Sequence, residues 1–167
     1  MATTRSGKDA CDLLDADHRA IKKMFKDYEE LTGSRARSAA QNKLDLAHRI
    51  CRELTLHEQI EEEIFYPALR AATKDTALID QAQVEHQTIR HLIAQVERAA
   101  EADGLVNAQI KVLGQYVDHH VKAERSELFA RARSSRKLDL VALRDELEQR
   151  REELAVECVP DMGELAV

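Results

Sequence analysis

Ala47-His48-Arg49-Ile50-Cys51-Arg52-Glu53-Leu54-Thr55-Leu56-His57-Glu58-Gln59-Ile60-Glu61-Glu62-Glu63-Ile64-Phe65 is the stretch whose pattern decides the fold class. Ala47, then Cys51 or Ile50, then Leu54, and further on Ile64 and Phe65 step by three and four residues, the spacing of one face of an α-helix. On that same face stand His57 and Glu61, where an ordinary bundle helix carries Leu or Ile. Residues i and i+4 lie only about 40° apart around a helix of 3.6 residues per turn, so these two side chains project together. An isolated ionised carboxylate in a core is costly unless it is paired or bound to a cation, so Glu61 demands a partner.

Three more segments carry the same pattern. Residues 9–31 place Cys11, Leu14, His18, Ile21, Phe25 and Tyr28 on one stripe, and residues 77–100 place Ile79, Ala82, His86, Ile89, Ile93 and Val96. Residues 105–132 carry Val106, Ile110, Leu113, Val117, His120, Glu124 and Leu128. The quoted stretch belongs to a second segment over residues 36–69. Breakers at Thr32-Gly33-Ser34, Lys74-Asp75-Thr76, Asp103-Gly104 and the polar run from Arg133 to Arg136 separate them. Long amphipathic segments with short connections favour antiparallel neighbours, so an all-α, up-down-up-down four-helix bundle over residues 9–132 is expected. A fifth segment, residues 139–155, has Leu140, Leu143, Leu147 and Leu154 on one face, for packing on the bundle or in an oligomer such as a homodimer. Residues 156–167 read as a tail, and there is no tandem repeat.

Composition agrees with an all-helical domain. The 167 residues suit one domain; 44% are apolar and 34% charged, with five Gly and two Pro. The 25 Lys and Arg against 31 Asp and Glu leave a formal charge of −6, which argues against a nucleic-acid footprint and suits bound cations. No apolar run approaches the roughly 20 residues of a membrane span, and the start MATTRSGKDA lacks the apolar core of a secretory signal, so a cytoplasmic protein is expected. Three cysteines, Cys11, Cys51 and Cys158, form no metal motif and read as reduced thiols.

Every core stripe is thus interrupted by histidine and two of them also by glutamate. His57 with Glu61, and His120 with Glu124, are i, i+4 pairs that antiparallel packing can bring to one level, with His18 and His86 closing the site. Carboxylates can bridge two cations and imidazoles can cap each, an N/O donor set that suits iron or manganese better than a thiolate-loving metal. Glu58 stands beside His57 and is read as a further ligand, a carboxylate that holds an imidazole from outside, or a surface charge. His119 flanks the site and stays an alternative ligand; Glu62, Glu63, His48 and His91 are expected at the surface. Cys11 and Cys51 read as small buried hydrophobes. Tyr28, Tyr66 and Tyr116 could line a pocket or donate to a metal-bound group, with core packing as the plainer reading. A zinc-peptidase motif opening at His57-Glu58 would need His at position 61 and finds Glu61.

Asp17-His18, the block from His57 through Tyr66-Pro67, Glu85-His86, and the block from His119-His120 through Glu124 to Leu128-Phe129 occur in this order over residues 13–130. In these residues the chain resembles the hemerythrin or HHE cation-binding family. The resemblance implies a non-haem di-iron site: two iron ions, ahead of manganese or zinc, held by His18, His57, Glu61, His86, His120 and Glu124. Glu61 and Glu124 would be bridges, joined by an oxo or hydroxo group. It implies binding or sensing of oxygen, nitric oxide, peroxide or iron. The alternatives are a small di-iron enzyme that decomposes peroxide and a metal-free helical interaction domain; no catalytic residue is singled out. One departure is informative. Oxygen-carrying members have two histidines four apart in the third helix, but here His86 is followed at that distance by Arg90. Either one position stays open or Glu58, His91, His119 or a tyrosine substitutes, which favours sensing, scavenging or turnover over simple oxygen carriage.

Overall fold

Three aspartates start three of the helices. The side chain of Asp9 accepts the Asp12 N–H while Asp12 reaches back to the Asp9 N–H, a reciprocal cap at the first helix. Asp103 accepts from Val106 and Asp139 from Ala142 in the same manner. The structure, a computed structural model, describes residues 8–158. In chain order it contains α1 (Ala10–Thr32), α2 (Ala39–Ile60), a π-helical turn (Glu61–Phe65), α3 (Tyr66–Ala72), α4 (Ala77–Glu97), α5 (Gly104–Ala123), a second π-helical turn (Glu124–Leu128), α6 (Phe129–Ser134) and α7 (Leu140–Glu157). No strand occurs among the described residues, and none of their helices is long and apolar enough to cross a membrane.

The four expected segments are present within three residues at each end, but the second and fourth are not uniform α-helices. Each is one rod with a π-helical turn inside it. The rods form a ring in which α1 neighbours α2 and α5, and α4 neighbours α2 and α5. Cross-helix contacts give the directions. Tyr28, late in α1, donates to Asn107, early in α5. Arg133, at the end of α6, reaches Asp12 at the start of α1. Arg70, at the end of α3, bonds Asp80 at the start of α4, and Gln109 of α5 bonds Gln95 of α4. Neighbours are therefore antiparallel, as the short connections required.

Two apolar clusters fill the interior. One is built around Ile21, Ile50, Leu54, Ile89, Ile93, Ile110 and Leu113. The other holds Leu14, Ile60, Phe65, Leu69, Ile79, Leu128 and Phe129. The histidines and glutamates of the stripes lie between them. Helix α7 packs on α1, α2 and the first π turn, and Leu143, Leu147 and Leu154 bury into the second cluster. These leucines face the chain's own bundle. The helix also runs to Glu157, into the expected tail; residues 159–167 lie outside the described residues.

Leu147 is fully buried. Leu147→Ala is expected to lower unfolding stability by about 2–5 kcal/mol, read as a lower urea midpoint with helicity retained below the transition. An unchanged midpoint would mean that α7 does not seat on the bundle.

Candidate metal centre

His18 of α1, His57 of α2, His86 of α4 and His120 of α5 meet at one level with Glu61 and Glu124, the first residues of the two π turns. None of the six is more than 5% exposed. The imidazoles form two pairs: His18 Nε2 and His57 Nε2 are 2.9 Å apart, and His86 Nε2 and His120 Nε2 are 3.1 Å apart. Glu61 spans both pairs. Its Oε1 lies 2.9 Å from His57 Nε2 and 3.8 Å from His18 Nε2, and its Oε2 lies 3.2 Å from His86 Nε2. Glu124 does the same from the opposite side, with Oε2 at 2.9 Å from His120 Nε2 and Oε1 at 3.9 Å from His18 Nε2.

The donor atoms converge as His18, His57 and Glu61 on one side and Glu61, His86 and His120 on the other. Glu61 Oε1 and Glu124 Oε1 are buried without a hydrogen-bond partner, although imidazole nitrogens lie close by. Two donors about 2.1 Å from one cation and at right angles are about 3.0 Å apart, close to both imidazole separations. Unsatisfied carboxylate oxygens and paired imidazole lone pairs facing one another are what a cation would satisfy. The residues present fit a metal.

Three imidazoles are braced from behind. His57 Nδ1 donates to Asp17 Oδ2 at 3.2 Å, His86 Nδ1 to Glu62 Oε1 at 3.0 Å, and His120 Nδ1 to Glu85 Oε2 at 2.7 Å. A carboxylate can only accept, so Nδ1 carries the proton and Nε2 presents its lone pair inward. Each brace is itself faced by a cation or an imidazole: Asp17 by Arg151, Glu62 by Arg90, and Glu85 by His119 at 3.6 Å. His18 has no partner on Nδ1; its ring lies parallel to that of Phe129, with centroids 5.9 Å apart.

The π turns have a specific consequence. In an α-helix a residue five positions on lies about 140° away around the axis. Here the Tyr66 N–H bonds to the Glu61 carbonyl and the Phe129 N–H to the Glu124 carbonyl, which brings Tyr66 back over Glu61 and Phe129 against His18. The Tyr66 hydroxyl can therefore donate to Glu61 Oε2 at 3.3 Å or Glu124 Oε2 at 3.2 Å, and it stands 3.4 Å from His86 Nε2. Phe129 covers His18.

The local field calls for positive charge. Burial disfavours a charged His57, but the Glu61 and Asp17 carboxylates outweigh it and hold the imidazole well above its ordinary range. Against the same burial penalty, Glu61 and Glu62 raise His86 to about 9, and Glu124 and Glu85 raise His120 to about 10. Burial pushes the carboxyl of Glu58 up to about 7. Both Glu58 oxygens lack a hydrogen-bond partner, and Arg90 is 3.7 Å from one of them.

Glu58 is not part of either converging donor set. It lines a small cavity beside them with His18, His57, His86, His120 and the apolar Ile21, Leu54, Ile89 and Val117. Of the other groups that could replace the ligand missing at Arg90, His91 and His119 are at the surface. Tyr66 reaches the centre. Arg90 turns outward to Glu62, as a permanently protonated guanidinium with no lone pair must. Cys11 and Cys51 are buried thiols pushed up to about 12, chiefly by burial, and lie outside the donor sets.

Several expectations for flanking residues need correction. Glu62 is not a solvated charge; the π turn places it behind His86. Glu63 is exposed, as expected, and bonds Arg150 of α7 there. Tyr66 serves the site as well as the core, Tyr28 donates to Asn107, and Tyr116 is half-exposed. The roles of Asp17 and Glu85 were not read from sequence. The dyads Asp17-His18 and Glu85-His86 were visible, but each acid braces the imidazole of the neighbouring helix, not the one beside it. Nothing in the sequence marked Arg151.

Residues 9–132 match the family described as Hemerythrin HHE cation binding domain. A solved structure of a hemerythrin HHE cation binding domain-containing protein from Mycobacterium kansasii superposes with a TM-score of 0.70 at 21% identity, covering 90% of each chain. No curated protein sequence gives a significant match. With the family pattern spanning the four rods and the solved relative sharing their fold, the chain belongs to the hemerythrin HHE cation-binding domain family.

Proposed function

We propose that the protein is a non-haem di-iron protein of the hemerythrin-like type, which binds or senses oxygen, nitric oxide, peroxide or iron in the bundle core. One observation carries the reading: Glu61 and Glu124 each direct one oxygen to the His18/His57 pair and the other toward the His86/His120 pair. Two carboxylates in that relation suit a pair of cations rather than one. The donors are all imidazole and carboxylate, which favours iron over a thiolate-bound metal. When bound, such a pair supplies redox chemistry and a coordination position for a small ligand.

The chain's own residues perform the rest. Asp17, Glu62 and Glu85 orient three imidazoles. The Tyr66 hydroxyl steadies the Oε2 side of Glu61 and Glu124. Ile21, Leu54, Ile89 and Val117 keep bulk water from the cavity, which has room for about one water. Glu58, facing that cavity outside both donor sets, is a third buried carboxylate beside the centre. The free thiols Cys11, Cys51 and Cys158 suit a reducing cytoplasm.

A second reading is peroxide decomposition. Its specific support is the same Glu58, whose unpartnered oxygens stand where a carboxyl could accept and return a proton to a small peroxide. Turnover of many equivalents of peroxide without loss of iron would favour this reading; a stoichiometric, reversible spectral change would favour binding.

Elemental analysis of aerobically purified protein should give about two irons per chain, with near-ultraviolet charge-transfer bands that change on adding azide or peroxide. Glu61→Ala should lose both ions, because it faces both pairs, whereas His57→Ala should retain one. No bound metal even after anaerobic reconstitution with ferrous iron would sink the di-iron reading. Ferrous iron at about 100 times its dissociation constant should also stabilise the metal-free protein by about 2.7 kcal/mol for each site filled. For a chain of this size each filled site then raises Tm by about 5–10 °C. A metal-free interaction domain would show no shift.

A further inference from the structure

We propose that Arg151 of α7 is a positioning residue for His57, so that the seating of the C-terminal helix sets how tightly the His18/His57 side of the centre holds its cation. The inference rests on the di-iron reading above. Asp17 uses its two oxygens in different directions: Oδ2 accepts from His57 Nδ1, and Oδ1 accepts from Arg151. The other terminal nitrogen of the same guanidinium donates to Glu53 Oε2 at 3.2 Å. Glu53 lies one turn before His57 on α2. A planar fork thus clamps α1 to α2 directly behind the ligand, and Asp17 is turned toward His57 by being held from its far side.

The three braced imidazoles differ in where their braces are anchored. Glu62 is held by Arg90 of α4, and Glu85 faces His119 of α5, both within the four rods. Asp17 is held from α7, beyond the residues 9–132 that match the family. The His18/His57 side has no substitute for this brace, since His18 Nδ1 has no partner. When α7 leaves, Asp17 loses its far anchor and is free to turn toward solvent, and the His57 ring loses the hydrogen bond that fixes its Nδ1–H and aims its Nε2. The coupling is reciprocal: a cation that needs His57 in this orientation favours the conformation in which α7 is seated.

The test uses the full chain loaded anaerobically with cobalt(II), whose visible spectrum reports coordination, with cobalt per chain followed against a graded chelator. Wild type should hold two ions. Arg151→Ala should release one of them at several-fold to about 10-fold lower chelator concentration and leave the other unchanged, since Asp17, whose own loss would cost about 10–100-fold as the direct partner of the histidine, stays in the chain. Arg151→Lys, which can still reach Asp17 but cannot fork to Glu53, should fall between the two. Arg144→Ala, which removes a different α7 contact, to the Lys8 carbonyl, should behave as wild type. Three outcomes would overturn the proposal: unaltered retention in Arg151→Ala, release of both ions together, or equal loss in Arg144→Ala, which would make it a matter of general helix docking. A wild-type chain that takes up no cobalt would overturn the di-iron reading and this inference with it.

Discussion

Carboxylates and imidazoles buried at mid-height of an apolar bundle impose the constraint on which the rest of this structure depends. Glu61 and Glu124 have almost no access to water, and apart from the Tyr66 hydroxyl the polar groups that face them are imidazoles. Such a layer is stable only when positive charge is placed in it. The raised affinity of His57, His86 and His120 for protons expresses the same demand, because a proton is the smallest cation available to a site that metal would otherwise fill.

Much of the surrounding architecture serves that layer. The apolar clusters on either side hold four helices in register so that six side chains from distant parts of the chain meet. The π turns bring Tyr66 over the glutamates and Phe129 against His18. Outside the donors lies a shell of Asp17, Glu62 and Glu85, each faced by Arg151, Arg90 or His119. This shell extends the negative field inward while balancing it at the surface, and it fixes the imidazole tautomers that ligation requires. Although the chain has no tandem repeat, its two halves solve the same problem similarly: an acid-histidine dyad on one helix and a His-x-x-x-Glu pair on the next.

The departure at Arg90 fits this scheme. Where the oxygen-carrying pattern supplies one more imidazole, this chain supplies a cation that holds the brace of His86 and approaches Glu58. The space beside the histidines is left to Glu58 and a small apolar-walled cavity. The Tyr66 hydroxyl stands at the His86/His120 pair, 3.4 Å from His86 Nε2.

The fold class, the antiparallel order of the rods and the six converging residues were legible in the sequence, because all depend on local periodicity: apolar residues at three and four, and His and Glu four apart. The family pattern strengthened that reading with the order of its blocks. The π turns were not legible, since one extra residue in a turn leaves the local hydrophobic pattern nearly unchanged while rotating everything beyond it. Glu62 was therefore assigned to solvent. The braces were hidden for a different reason. Asp17 and Glu85 act across helix pairs, and Arg151 acts from a helix more than 90 residues along the chain from His57, so their partners are fixed by packing and have no constant spacing in sequence. Local periodicity determined which residues face the core; the tertiary structure decided which imidazole each acid holds, because hydrogen bonds across helices depend on rotation and height that only the packed bundle sets.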